Sequence, residues 1–347
     1  MTRFALYSAL ILLYSCSSDI QLPESLQIDN VQMEGLSIRA IQALDEDICW
    51  FSGSNGSFGY TMDGGLLWSV DSIPEAKGME LRSIAVQNDS TVFVMTVGSP
   101  ALIFRTSSRG KKWTEVYRNE SEDVFFDSMK FWDTYQGIAF GDPNNGCFHI
   151  LTTRDGGNTW QRVSCERLPD YVEGEAAFAA SNTNIKCFGQ EGWIITGGTA
   201  SRLLYTADRG SSWSVYPTPI HQGGEMTGGF SMDMWDGKKG VVIGGNWEEP
   251  EDNSESLIRT LDGGKNWTLI KGEGTPGYRS CIQYVPGYKG NWLLAIGYPG
   301  MDLSADGGES WKHMNDEKWF SFSFSPTGRR CFLAGPGKLG SFSLERD

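Results

Sequence analysis

The sequence has few of the residues and motifs on which common enzyme classes depend. Its 347 residues include only three histidines, His149, His221 and His313, which lie far apart and lack metal-ligand spacing. There is no G-x-S-x-G nucleophile motif, no Walker phosphate loop and no G-x-G-x-x-G motif leading from a strand into a helix. We therefore expect structural or surface histidines, no cofactor and no metal site.

Positive charge is also scarce. The chain has 29 basic and 43 acidic side chains, a formal net charge of −14. Such a surface does not attract nucleic acid or an anionic lipid surface by its overall charge. We expect no nucleic-acid partner.

Cysteine spacing excludes another group of sites, because no C-x-x-C pair occurs and zinc or thioredoxin-type chemistry is therefore not indicated. Cys49 and Cys331 stand in the same register, four residues before a glycine in an apolar run, which favours buried thiols. An exported protein can also form disulfides. The sequence leaves open the disulfide state of its internal cysteines, which are Cys49, Cys147, Cys165, Cys187, Cys281 and Cys331.

The N-terminal apolar run, Phe4–Tyr14, is too short to span a bilayer and follows Arg3. The four residues Leu13–Cys16 resemble a bacterial lipobox. We predict a lipoprotein signal peptide at residues 1–15, lipidation at Cys16 and a polar linker at residues 16–24. Because Ser17 rather than Asp follows the cysteine, we expect a lipid anchor in the cell envelope, at the outer membrane. An ordinary secretory signal is the alternative.

One eight-residue phrase, Ser/Thr-x-Asp-x-Gly-x-x-Trp, recurs six times at intervals of 44 to 54 residues. The Asp side chain can accept backbone hydrogen bonds in a tight turn, and Gly tolerates positive φ there. The second copy has Ser108 in place of the Asp. We interpret these Asp-boxes as structural turns, with marker residues Asp63, Trp68, Trp113, Asp155, Trp160, Asp208, Trp213, Asp262, Trp267, Asp306 and Trp311.

Two or three short strands precede each box and another follows it, which is typical of a propeller blade. Three further strands follow the last box, and Leu26–Val31 offers a fourth at the other end of the chain. The sequence therefore predicts an all-β fold: one domain at residues 25–347, a seven-bladed β-propeller of four-stranded blades. The N-terminal strand is expected to complete the last blade and remove an exposed edge.

The boxes resemble those of Asp-box, or bacterial neuraminidase repeat, propellers. Within these the chain is most similar to the photosystem II assembly and stability factor branch, with more distant resemblance to sortilin and sialidases. Three segments, Gly174–Ser181, Gly141–Pro143 and Gly277–Ser280, also resemble secreted bacterial relatives loosely labelled oxidoreductases. The resemblance implies a binding or assembly role, whereas no cofactor motif supports an oxidoreductase.

Alignment of the expected inner strands brings charged side chains into one column at the propeller mouth. The column contains Arg39, Arg82, Asp127, Glu175 and Arg279. They either pair with one another or bind an acidic ligand, since arginine matches a carboxylate in bidentate geometry. The hairpins at the same mouth add the candidate residues Asp142, Asn246, Tyr278 and Tyr298. The long acidic hairpin 246–256 is expected to overhang the mouth as a solvated loop or a partner contact.

Two functions remain open at this point. The first is a non-enzymatic, monomeric binding propeller whose mouth holds a protein, a peptide or an acidic ligand. The second is a sialidase-like glycoside hydrolase acting on acidic or complex glycans. Hydrolysis requires two carboxyl groups, about 5–5.5 Å apart for retention or about 6.5–9.5 Å apart for inversion. No catalytic residue can be assigned from the sequence.

Overall fold

The computed structural model describes residues 22–344, and the predicted leader and Cys16 lie outside them. The described chain is built of β-strands and three short 3-10 turns, Ser54–Gly56, Pro74–Ala76 and Cys165–Arg167. None of its helical segments is long and apolar enough to cross a membrane.

The strands form six hydrogen-bonded sheets. The sheet at the chain termini contains, in spatial order, β27 (Ser321–Phe324), β28 (Arg330–Ser343), β1 (Asp29–Ala43), β2 (Ile48–Gly53), β3 (Ser57–Met62) and β4 (Ser69–Ser72). The next two contain β5 (Leu81–Val86), β6 (Val92–Thr96), β7 (Ala101–Thr106) and β8 (Trp113–Asn119), then β9 (Phe126–Phe131), β10 (Gly137–Asn144), β11 (Cys147–Thr153) and β12 (Gln161–Arg162).

The second half of the chain forms the other three sheets. One contains β14 (Ile185–Phe188), β15 (Glu191–Ile195), β17 (Arg202–Thr206) and β18 (Ser214–Pro217). A six-stranded sheet contains β13 (Glu175–Ala176), β16 (Gly197–Gly198), β19 (Thr227–Met234), β20 (Gly240–Asn246), β21 (Leu257–Thr260) and β22 (Thr268–Leu269). The last contains β23 (Cys281–Tyr284), β24 (Leu293–Gly297), β25 (Gly300–Ser304) and β26 (Lys312–Asn315).

The all-β propeller of four-stranded units is confirmed, but the count of seven blades is not, because the structure has six sheets. The difference arises at the termini. The first half of β28 pairs with β27 and its second half with β1, and β1 continues without a break to pair with β2. The strands expected to form a separate last blade therefore belong to the same sheet as the first blade.

The ring closes through the two chain ends. Asp29 of β1 pairs with Ser341 of β28, and the inner strands contact one another in the order β1, β5, β9, β14, β19, β23, β27 and back to β1. Buried aliphatic and aromatic side chains fill the spaces between adjacent sheets. The strands of the described residues run from Asp29 to Ser343 and form a closed ring.

The Asp-boxes make the turns that the sequence predicts. In the first, the Thr61 hydroxyl accepts the Gly65 N–H (3.0 Å) and donates to Asp63 (2.8 Å), which accepts the Leu67 N–H (3.0 Å). In the second box Ser108 replaces the carboxylate, and its hydroxyl accepts the Lys112 N–H at 3.0 Å. The boxes follow the third strand of each unit, so they lie at the face of the propeller opposite the start of the inner strands.

A polar segment, residues 181–184, lies across the propeller axis. We call it the axial segment. It hydrogen-bonds to inner strands on different sides of the ring. Its bonds include Ser181 Oγ to Ser280 O (2.6 Å), Ser321 Oγ to Ser181 O (2.8 Å), Ser83 Oγ to Asn182 Oδ1 (2.7 Å) and Asn182 Nδ2 to Ile84 O (2.9 Å).

Candidate functional site

Arg39 is the arginine of the predicted column that has no ion pair within 4.0 Å among the described residues. It lies in β1, half-buried, with its guanidinium carbon 3.9 Å from the centroid of the Phe320 ring. Its Nε is buried and has no hydrogen-bond partner. Burial and then the neighbouring charge of Arg82 lower the pKa of Arg39. A partly buried guanidinium without an ion pair is less stable than a paired one, so Arg39 is a candidate to bind an anion.

Arg82 lies beside Arg39 and is only partly neutralised. Its Nε donates to Glu80 at 3.3 Å, and both side chains are about one-third exposed. A pair with this exposure is screened by water and contributes little stability. Arg39 and Arg82 together therefore form a net positive site at the mouth.

Arg279 already has an ion-pair partner inside the protein, because Asp302 neutralises its charge. Its Nε donates to Asp302 Oδ2 at 2.6 Å, and both side chains are less than one-tenth exposed. Asp302 also contacts His313 Nδ1 at 2.9 Å, and His313 Nε2 contacts Asp316 at 3.0 Å. The hydrogen bond with Asp302 is the main cause that raises the pKa of His313. The structure thus brings Arg39 and Arg82 together and pairs Arg279 with Asp302, while convergence of the arginines on one ligand stays a prediction.

The predicted position of Glu175 is wrong. Glu175 lies in β13, and the inner strand of its unit is β14 instead. The carboxylate is fully buried and pairs with Arg202 at 2.5 Å, and it also accepts the Thr196 hydroxyl at 2.7 Å. Glu175 thus stabilises a loop between sheets and does not contribute to the column.

Aromatic rings form the floor beside the two arginines. Phe178 and Phe230 stack with centroids 3.7 Å apart, and Tyr278 meets Phe230 edge-on at 4.7 Å. Phe230, Tyr278 and Phe320 are each less than one-tenth exposed. The mouth therefore combines cationic side chains with an apolar floor, an arrangement that suits an amphipathic ligand.

Asp127 and Asp142 are brought together, but in the interior. Asp127 is completely buried and neither of its carboxyl oxygens has a hydrogen-bond partner among the described residues. Burial, with a further contribution from Asp142, raises the pKa of Asp127 well above its usual value. Asp142 accepts the Ala177 N–H at 2.8 Å, and burial raises the pKa of Asp142 to about 6. The expectation that Asp127 pairs with an arginine is not met.

The remaining candidate residues lie at the rim. Asn246 accepts the Glu248 N–H at 2.9 Å and lines an open cavity of about 510 Å³ that also includes His221 and Met226. Tyr298 is half-exposed and accepts a hydrogen bond from Lys318 at 2.9 Å. No cluster of three or more metal-ligating side chains occurs within residues 22–344.

Sequence reasoning missed several contributors to the site. Asp302 carries a detectable signal, because it is a charged residue in the otherwise uncharged strand β25 and therefore needs a buried partner. Phe178 and Glu80 lie outside the aligned strand segments and have no comparable signal.

The cysteines divide into two groups. Cys147 and Cys165 form a disulfide. Cys49, Cys281 and Cys331 are free and buried, and Cys187 is free and half-buried. Burial raises the pKa of the thiols of Cys49 and Cys331, which keeps them protonated and unreactive.

In comparisons with known proteins, part of the chain matches one protein family. Residues 24–123 match the family described as Photosynthesis system II assembly factor YCF48. The chain is 32% identical over 126 residues to the photosystem II stability/assembly factor HCF136 of Arabidopsis thaliana, covering 33% of this chain and 30% of that protein. It is 27% identical over 153 residues to a xyloglucanase of a Paenibacillus species, covering 39% and 14%. The chain thus aligns with less than a third of the length of these two curated relatives.

The fold resembles solved propellers over nearly its whole length. The structure titled YCF48 bound to D1 peptide has a TM-score of 0.65 and 14% identity, and covers 92% of this chain and 97% of that chain. The chain is therefore similar to YCF48-type Asp-box propellers in fold, and its residues 24–123 are also similar to them in sequence. The sortilin and sialidase resemblances stay predictions.

Proposed function

We propose that this protein is a non-enzymatic, assembly-factor-like propeller that binds a protein or peptide segment at its mouth. The observation that carries the proposal is Arg39, a half-buried guanidinium without an ion pair, stacked on Phe320 beside Arg82. A carboxylate of the ligand would supply the missing anion in bidentate geometry. The YCF48 structure is titled as bound to a D1 peptide and two of the sequence relatives are photosystem II stability/assembly factors, which supports a polypeptide ligand.

The ligand chemistry follows from the two parts of the mouth. Arg39 and Arg82 select a C-terminal carboxylate or an acidic side chain. The aromatic floor of Phe230, Tyr278 and Phe320 selects an apolar side chain next to that carboxylate. Because the protein is acidic overall, a ligand with several negative charges is disfavoured, and one carboxylate is the better match.

The test compares binding of ten-residue peptides with free C-terminal carboxylates and of the same peptides as C-terminal amides. A charge-assisted hydrogen bond contributes about 1.5–3 kcal/mol, so Arg39→Gln is expected to weaken binding of the carboxylates at least about tenfold. The control is Arg118→Gln, an exposed arginine of β8 paired with Glu115. Equal binding of acids and amides, or an Arg39→Gln protein that binds like the parent, would refute the assigned mouth.

We further propose that the protein is exported and anchored in the cell envelope through a lipid on Cys16. The lipobox-like residues before Cys16 support the anchor, and the Cys147–Cys165 disulfide supports an oxidising compartment. Mass spectrometry of the mature protein is expected to show a lipidated cysteine as the first residue. An unmodified N-terminus would contradict this assignment.

Glycoside hydrolysis is a second candidate, favoured by the similarity to a xyloglucanase and by the Asp127–Asp142 pair. The catalytic carboxyl groups of a hydrolase must reach the glycosidic oxygen and the attacking water or carbon. Asp127 is completely buried, so a substrate at the mouth does not contact it in this structure. The binding function is therefore better supported. Release of reducing sugar from xyloglucan or a sialoside by the purified protein, abolished by Asp142→Asn, would reverse that preference.

A further inference from the structure

The first Asp-box differs from the others in two side chains. Its sixth and seventh positions are Leu66 and Leu67, which are 71% and 75% exposed. The same positions in the other boxes are Lys111 and Lys112, Asn158 and Thr159, Ser211 and Ser212, Lys265 and Asn266, and Glu309 and Ser310. The turn itself does not require leucine, because the Leu67 N–H makes the same bond to the box carboxylate that Ser212 and Ser310 make.

Two further exposed apolar residues flank the leucine pair in sequence, and we call these four residues the apolar patch. Met62 precedes the turn and is 46% exposed, and Val70 follows on the edge strand β4 with 45% exposure. Exposed aliphatic residues in sequence neighbourhood on one turn are unlike the scattered single hydrophobic residues of an ordinary surface. The patch lies on the Asp-box face, opposite the mouth.

The N-terminal part of the chain joins the ring on the same face. Lys312, directly after the sixth box, donates to the carbonyl oxygen of Pro23 at 2.8 Å. Asp29 then pairs with Ser341, and the Ser341 hydroxyl donates to Gly64 of the first box at 3.2 Å. The start of the described chain therefore lies along the Asp-box face, and β1 begins beside the leucine pair.

The distance to the proposed lipid anchor is short. Cys16 precedes Leu22 by six residues, and an extended chain covers at most about 3.3–3.6 Å per residue. A lipid on Cys16 thus holds Leu22 within about 20 Å of the bilayer surface. The Asp-box face is the part of the propeller nearest to the chain start, so it is the face turned towards the membrane.

We propose that Leu66 and Leu67 insert into the interface of the lipid bilayer and fix the propeller with its mouth pointing away from the membrane. The proposal rests on the anchor proposed above, and its insertion step concerns the folded domain alone. A bilayer is the occupant that these observations favour, because the patch is small, lies at a turn and faces the tethered side. Apolar insertion also does not require anionic lipid, which the net charge of the protein would oppose.

The test uses a chain that starts at Leu22, because it retains every strand and lacks the lipid and the leader. Its sedimentation with phosphatidylcholine vesicles is compared with that of Leu66→Ser/Leu67→Ser, which copies the serine pair of the fourth box. Because each leucine would bury about half of its side chain, the double change is expected to lower the partition coefficient at least about tenfold. The control Trp247→Ala removes a 51% exposed aromatic side chain from the mouth hairpin and is expected to leave partitioning unchanged.

Three results would overturn the proposal. The parent chain fails to bind the vesicles, the Trp247 variant loses binding as much as the double variant, or binding requires anionic lipid. Analytical ultracentrifugation without vesicles separates out a further outcome: a dimer lost in the double variant would show that the leucines contact a second copy. If the insertion proposal fails in any of these ways, peptide binding at the mouth and lipidation of Cys16 are still tested separately by their own measurements.

Discussion

The pH dependence of stability follows from Asp127 and gives the sharpest prediction. Its carboxyl group is completely buried, lacks any hydrogen-bond partner among the described residues and lies near Asp142. An ionised group in such a site is far more costly than a neutral one, so the folded protein keeps Asp127 protonated. The unfolded chain ionises it with an ordinary pKa of about 3.9.

The sign follows from the raised pKa of Asp127 in the folded protein. The stability associated with this group is fully present below about pH 4 and is lost as the pH rises towards the folded pKa. Between about pH 4 and the folded pKa of Asp127, the free energy of unfolding falls by about 1.4 kcal/mol for each pH unit. Burial raises the pKa of Asp142 to about 6, so Asp142 adds about 3 kcal/mol of loss that is complete near pH 6.

Asp127→Asn removes the first contribution and keeps the side-chain shape. In urea unfolding of the chain from Leu22 at pH 4, 5, 6 and 7, the stability that the variant gains over the parent is expected to increase with pH above about pH 4. The control is Asp71→Asn, which makes the same change of side chain on the exposed edge strand β4. A difference between parent and Asp127→Asn that does not vary with pH would refute the assignment of a neutral, buried acid.

Two further predictions concern the axis and the histidines. Asn182→Ala removes the hydrogen-bond partner of the Ser83 hydroxyl and the Ile84 carbonyl in the interior. It is therefore expected to lower the free energy of unfolding by about 2–4 kcal/mol. A loss below about 0.5 kcal/mol in urea unfolding would show that the axial segment is dispensable for stability. In an NMR titration the pKa of His149 is expected near 4 because of burial, and that of His313 above its ordinary value because of Asp302; two histidines that both titrate near 6.5 would contradict this structure.

The repeat phrase predicted the architecture because its physics is local. A threonine hydroxyl and a carboxylate four residues before the N–H that each binds define the turn without tertiary contacts. The closing strand was also predictable, since three strands after the last box lack a fourth. The number of separate sheets could not be predicted from the sequence. β1 and β28 each continue from one pairing partner to the next, and no residue marks the point of change.

The site was only partly predictable. Arg39 and Arg82 follow from register, but the partner of Arg279 lies 23 residues away in β25, which alignment of inner strands does not include. Glu175 was misplaced because the true inner strand, β14, follows a polar stretch that does not read as the start of a buried strand. That stretch is the axial segment, and its asparagine and serine side chains are buried only because strands from other sheets supply their partners.

The axial segment also affects how cooperatively the ring unfolds and how it binds a ligand. In open repeat arrays each unit contacts only its neighbours, so stability is a sum of local terms and ends fray. Here Ser181 and Asn182 bond to inner strands that are not adjacent in the ring, so loosening one sheet breaks bonds to distant ones. The propeller should open as a single cooperative unit, with the amides of this segment exchanging only through global unfolding. We expect a ring held in this way to keep Arg39 and Arg82 in position before a ligand binds, so that binding does not first have to order the receptor.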